Sequence, residues 1–142
     1  MPLELIPLCT IDAVLAEPLV PGAGPAGFRM VFEVKSATVS GERITGSLRH
    51  GTAADWIVLN GTVGTLDVRT VLETTDGAII YCTYEGRVDL SQGPGALPMY
   101  VAPKFETGDD RYAWLNTIQA IGVGTTEGSA LHYEWFEARV RS

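Results

Sequence analysis

The chain has 142 residues, 46% of them hydrophobic and 19% charged, with a formal net charge of −7. That length suits a single domain over residues 1–142, given roughly 100–200 residues per domain, and it can bury a core without disulfide or metal staples; the apolar content excludes intrinsic disorder. An acidic chain with no basic cluster repels phosphate backbones. No apolar run reaches the roughly 18 residues of a membrane helix, and residues 1–10 lack the basic start of a signal peptide, so the expectation is a cytoplasmic protein with neither nucleic acid nor membrane as partner.

Taken in chain order, Leu3 to Leu15 reads as a first extended segment, broken by Pro7. Residues 17–27 hold Pro18, Pro21, Gly22, Gly24, Pro25 and Gly27 and read as a loop. Phe28 to Val39 is rich in β-branched and aromatic residues and pairs with Arg43 to Leu48 across the Ser40-Gly41 turn. Trp56 to Leu59 is a short strand, and Asn60-Gly61 is a strong hairpin signal because both residues tolerate positive φ. Thr65 to Thr74 and Ala78 to Glu85 flank a second hairpin turn, Asp76-Gly77. Ser91 to Pro98 reads as a mobile loop placed as a lid over a cavity mouth. Pro103 to Arg111 is loop or a short edge segment, Ala113 to Val123 a strand, and Ala130 to Arg139 the last strand. About eight short strands with hairpin links and little helix predict an all-β antiparallel barrel or sandwich.

Cys9 and Cys82 form no Cys-x-x-Cys motif, and His50 and His132 stand apart from them. Buried inert thiols are the expectation, with no metal site, since zinc needs three or four such ligands together. Gly22-Ala23-Gly24-Pro25 ends in proline instead of opening a helix, so no nucleotide loop is read and no cofactor is expected.

Side chains alternate across a strand. In Thr65 to Thr74, Leu66, Val68, Thr70 and Leu72 therefore share one face, and Asp67, Arg69, Val71 and Glu73 the other. The charged row is either a solvated outer ladder or the lining of a ligand cavity. If Ala113 to Val123 is a strand, Tyr112, Trp114, Asn116 and Ile118 share a face, with the apolar walls and single amide of a small-molecule pocket or of a core. His132 and Glu134 share a face of the last strand, as an acid–base pair or as surface residues, while Leu131, Tyr133 and Trp135 face a core or a dimer interface.

Several runs are familiar in combination: Thr38-Val39-Ser40-Gly41, Ala54-Asp55-Trp56, Leu66-Asp67-Val68-Arg69, Leu72 to Ala78, Phe105-Glu106-Thr107-Gly108, Arg111-Tyr112-Ala113-Trp114-Leu115-Asn116 and Gly122-Val123-Gly124. In this order, over nearly the whole chain, they resemble the DUF3237 family, also called UPF0311. The resemblance implies an antiparallel up-and-down β-barrel, lipocalin- or streptavidin-like, that pairs as a homodimer and binds small organic molecules. It departs from the family pattern at Thr70, where a Tyr is usual, and before Phe105, where an Arg is often found. The resemblance picks out Asp55, Asp67, Arg69, Tyr81, Tyr112, Trp114 and Asn116, and favours an inward-facing Asp67–Arg69 row.

These residues suit a cofactor-independent enzyme acting on an aromatic or conjugated carbonyl compound by isomerisation, hydration, elimination or conjugate-addition cyclisation. Asp67 would move the proton. Arg69 and Tyr81 would stabilise an enolate or phenolate oxygen. Asp55, Trp56, Tyr112, Trp114 and Asn116 would hold the substrate. A non-catalytic carrier of a small aromatic metabolite is the alternative, and a structural or interaction module a third reading.

Overall fold

A computed structural model describes residues 1–93, 95 and 97–141. The strands are β1 Leu3–Leu15, β2 Leu19–Gly24, β3 Gly27–Ser40, β4 Gly46–Leu48, β5 Ala54–Asn60, β6 Val63–Thr74, β7 Ile79–Asp89, β8 Met99–Val101, β9 Lys104–Glu106, β10 Gln119–Glu127 and β11 Ala130–Val140. A 3-10 helix, Asp110–Thr117, lies between β9 and β10.

All of the pairings are antiparallel, and β11 pairs back onto β1 to close the sheet. β4 and β5 occupy one position between β3 and β6. β8 and β9 likewise share the position beside β7. β2 hangs off the edge of β3. The result is eight staves in meander order, the closed antiparallel barrel expected. Gly61 and Gly77 adopt φ of +57° and +92° in the two hairpin turns, but neither Asn60 nor Asp76 takes positive φ: Asn60 is still paired with Val63, so the first turn is Gly61-Thr62, and Asp76-Gly77 lies within the longer connection from Thr74 to Ile79.

Three expectations need correction. Residues 17–27 are not all loop, because β2 pairs with β3 at the sheet margin, where proline costs no ladder bond. The strand expected over Ala113 to Val123 begins only at Gln119. Before it, the Asp109 side chain accepts from the Arg111 N–H and caps the 3-10 turn. β8 was not anticipated, being three residues long. The lid expected at Ser91 to Pro98 falls partly on Pro94 and Ala96, outside the described residues.

The two ends of the barrel differ. At one end Leu115 from the 3-10 helix is fully buried, and Leu72, Ile80 and Phe105 are at most 5% exposed. This helix plugs that end. At the hairpin end the inward-facing Met30, Phe32, Ile57, Leu59, Val88 and Met99 are only half-buried, and Phe28 is 40% exposed. Apolar side chains that point inward yet keep contact with water mark an open mouth. β7 ends at Asp89 and β8 begins at Met99 on this side of the barrel.

The core between the ends is aromatic. Tyr84 meets Tyr133 and Trp135 edge-on at centroid distances of 5.6 and 5.5 Å, and Phe105 meets Trp135 at 5.9 Å. β10 accommodates these rings by having no side chain beneath them. A Cβ on Gly122 would come within 2.4 Å of Trp135 Cδ1, and one on Gly124 within 2.3 Å of Tyr133 Cδ1. Cys9 and Cys82 are both free and buried; burial pushes the Cys9 thiol up to about 12 and raises that of Cys82 as well. Neither is poised as a nucleophile.

Candidate active site

The inward row begins at Asp55. It stands opposite Phe32 on β3 and opposite Val68 on β6, and Val68 in turn stands opposite Tyr84 on β7. Val68 is 2% exposed, so this row lines the interior. The β5–β6 ladder pairs Asp55 with Val68 and resumes only at Val58–Thr65. Into that gap the Asp55 carboxylate reaches, and its Oδ1 accepts the Asp67 backbone N–H at 3.1 Å. A carboxylate here satisfies a donor that the ladder leaves open.

Among the described residues no Lys or Arg forms an ion pair with Asp55. Burial dominates and pushes its carboxyl up to about 7; the bond from the Asp67 N–H opposes this, and the Asp67 charge adds to it. Tyr84 and Tyr133 are themselves raised, by burial first, and both feel the Asp55 charge. The three groups therefore form one electrostatic cluster. Asp55 keeps partial exposure, and its neighbours Met30, Phe32 and Ile57 lie on the open side. A carboxyl poised near neutrality beside two phenols is a proton donor and acceptor reachable from solvent.

The inward-facing Asp67–Arg69 row is not found. Along β6 burial alternates so that Leu66, Val68, Thr70 and Leu72 are inside, and Asp67 and Arg69 are exposed outside. The cause is the pairing of β6 with β7, which sets its apolar face against Ile80, Cys82 and Tyr84. Tyr81 is also outside, 38% exposed. Asp67, Arg69 and Tyr81 do come together, but on the outer wall, where with Thr83, Glu85 and Lys104 they border a depression of about 520 Å3.

Trp56 points outward too, at 49% exposure. Tyr112, Trp114 and Asn116 share no strand face, because they sit on the 3-10 helix at the plugged end. The Tyr112 hydroxyl donates to Asp76 Oδ1 at 2.8 Å. The Trp114 ring lies 4.6 Å beneath the Arg43 guanidinium, which itself pairs with buried Glu137. Asn116 accepts from the Thr107 N–H at 2.8 Å and donates to the Thr107 carbonyl at 2.9 Å. Arg111 clamps Asp109, holding that carboxyl down at about 2, and also bonds the Asp76 carbonyl. His132 bonds Asp12 at 2.7 Å on the exposed surface and does not meet Glu134.

Sequence reasoning passed over Tyr84 and Tyr133 as site residues. The available signal was the pair Gly122 and Gly124, which leaves room across the ladder for Trp135 and Tyr133.

The comparisons agree with this architecture. The family model described as "Protein of unknown function (DUF3237)" matches residues 3–138. This chain belongs to that family. A relative of the DUF3237 chain, a UPF0311 protein of Rhodopseudomonas palustris (strain TIE-1), is 28% identical over 118 residues, 75% of this chain and 77% of its own. A β-barrel-like protein from Acinetobacter baumannii AYE superimposes with a TM-score of 0.88 at 27% identity, covering 98% of both chains. A structure described as an enzyme from Penicillium herquei shares the fold, with a TM-score of 0.75 at 19% identity and 96% of each chain covered.

Proposed function

We propose that this barrel is a cofactor-independent enzyme that moves a proton on an aromatic or conjugated carbonyl compound entering through the open end. The carrying observation is Asp55, an inward carboxyl with no cation partner among the described residues, pushed up to about 7. At neutral pH both its forms are populated, which suits a group that takes a proton from carbon and returns it. Tyr84 and Tyr133 keep their protons; Tyr84, the less deeply buried of the two, is the donor to an enolate or phenolate oxygen, with Tyr133 packed behind it. Met30, Phe32 and Ile57 provide the apolar wall. The acid role that the sequence attached to Asp67 thus moves to Asp55. Support for catalysis over simple carriage also comes from the Penicillium herquei neighbour, which is described as an enzyme. The homodimer expected from the sequence remains part of this reading, supported by exposed Trp56, Tyr100 and Ile121 on the outer wall.

Acetophenone tests it as a minimal ketone probe, with deuterium uptake at its methyl carbon followed by NMR in D2O. The wild-type protein should exchange above the buffer rate, and Asp55→Asn should lower that excess by about 100-fold or more, the usual reach of a general base. Binding of the probe with no exchange in the wild type would favour the carrier instead.

A further inference from the structure

The charges of this molecule are sorted by side of the wall. Arg29, Arg69, Arg87 and Lys104 belong to the outer surface of the wall; Arg69, Arg87 and Lys104 are exposed there, and Arg29 lies beside Trp56. Among the described residues that face inward at the open half, none is a Lys or Arg. The groups facing Asp55 are Tyr84 from β7 and Tyr133 from β11; from β6 it accepts only the Asp67 backbone N–H, while the Asp67 carboxylate, on the outer side of the wall, repels it. β3 contributes the apolar Phe32. A ligand at the open end therefore meets one acid beside the partly exposed Met30, Phe32 and Ile57, with the buried Tyr84 and Tyr133 behind them, and no positive charge among the described residues.

We propose that the open end selects ligands by charge, with Asp55 as the specificity-determining group: uncharged ring compounds enter, their protonated-amine counterparts bind once Asp55 is ionised, and ring carboxylates are refused. This rests on the preceding reading only in placing the ligand beside Asp55; it requires no reaction. The physical basis is desolvation. An organic anion brought inside loses its water and gains no counter-ion. An ammonium gains the Asp55 carboxylate, and aromatic faces attract cations in addition. Neutral rings exchange water for the apolar wall at any pH.

Three probes share a ring and differ in charge: acetophenone, benzylamine and benzoate. Their affinities are measured by titration calorimetry at about pH 5.5 and about pH 8.5, either side of the Asp55 value, where benzylamine stays mainly protonated and benzoate ionised. Acetophenone should bind alike at both. Benzylamine should bind about tenfold tighter at the higher pH, the size of a modest charge–charge attraction, and Asp55→Asn should erase that gain while sparing acetophenone. Benzoate should fail at both. Benzoate binding as well as acetophenone at the higher pH, or benzylamine affinity indifferent to pH, overturns charge selection while leaving proton transfer to acetophenone to its own test. If none of the three binds, the interior site itself is wrong, and both readings fall.

Discussion

Asp55 is an acid held where its ionised form is disfavoured, so its role must appear as a stability cost that depends on pH. Unfolded, an Asp titrates near about 3.9; folded, it is raised to about 7. Below the lower value it is protonated in both states and contributes nothing unfavourable. As pH rises through the window between the two, the unfolded chain loses its proton and the folded one retains it, so stability falls until the folded group also ionises. A three-unit gap is worth about 4 kcal/mol, and partial exposure reduces this to about 1–3 kcal/mol. Asn keeps the Oδ1 that accepts the Asp67 N–H but carries no charge. Asp55→Asn is therefore expected to stabilise the protein by about 1–3 kcal/mol at pH near 8 and to make little difference near 4, as read by urea unfolding. Equal destabilisation at both pH values would mean that the carboxylate is needed for structure, and the poised-acid argument would fail.

At the scale of elements, the informative case is the 3-10 helix. Ala113 to Thr117, the second half of this helix, falls in the Ala113 to Val123 segment that reads from sequence as a strand. What decides against a strand lies outside the segment: Asp109 caps the turn, Asn116 ties both polar groups of the Thr107 backbone, and Tyr112 and Arg111 bind the β6–β7 turn at Asp76. Asn116→Ala should cost about 1–2 kcal/mol in unfolding experiments, for two hydrogen bonds at the usual net value. Because it sits at the plugged end, acetophenone affinity should stay within twofold; a large loss of affinity would restore Asn116 to the ligand site. The same case shows what could be read in advance. β1, β3, β6, β7 and β11 were visible because each is long, alternating and bounded by turn residues. The inner face of β6 was not, because Leu66, Val68 and Leu72 compete with Asp67 and Arg69 for the interior, and only the pairing with β7 settles it. Asp55 was visible as a polar residue in a family motif; its direction became clear only once Val68 and Tyr84 were found beside it.

At the scale of the whole molecule, the barrel joins a closed half to an open half. The closed half has its apolar residues out of water: Leu72, Ile80, Cys82 and Leu115 are 5% exposed or less. The open half keeps Met30, Phe32, Ile57, Leu59 and Val88 only partly buried. Local stability follows buried contacts, so the open half is where the fold should loosen first. Amide hydrogen exchange tests this directly. The amides of Leu72, Ile80 and Cys82 should exchange slowest, and those of Met30, Leu59 and Val88 at least about tenfold faster, an opening cheaper by about 1.4 kcal/mol or more. Saturating acetophenone should then slow exchange at Met30, Asp55, Ile57 and Val88 and leave the closed half unchanged, because a ligand stabilises only the opening equilibria it is linked to. Protection centred on Thr83 and Lys104 instead would place the ligand in the outer depression beside Asp67, Arg69 and Tyr81. That pattern would return the acid role to Asp67, on the opposite side of the wall from Asp55.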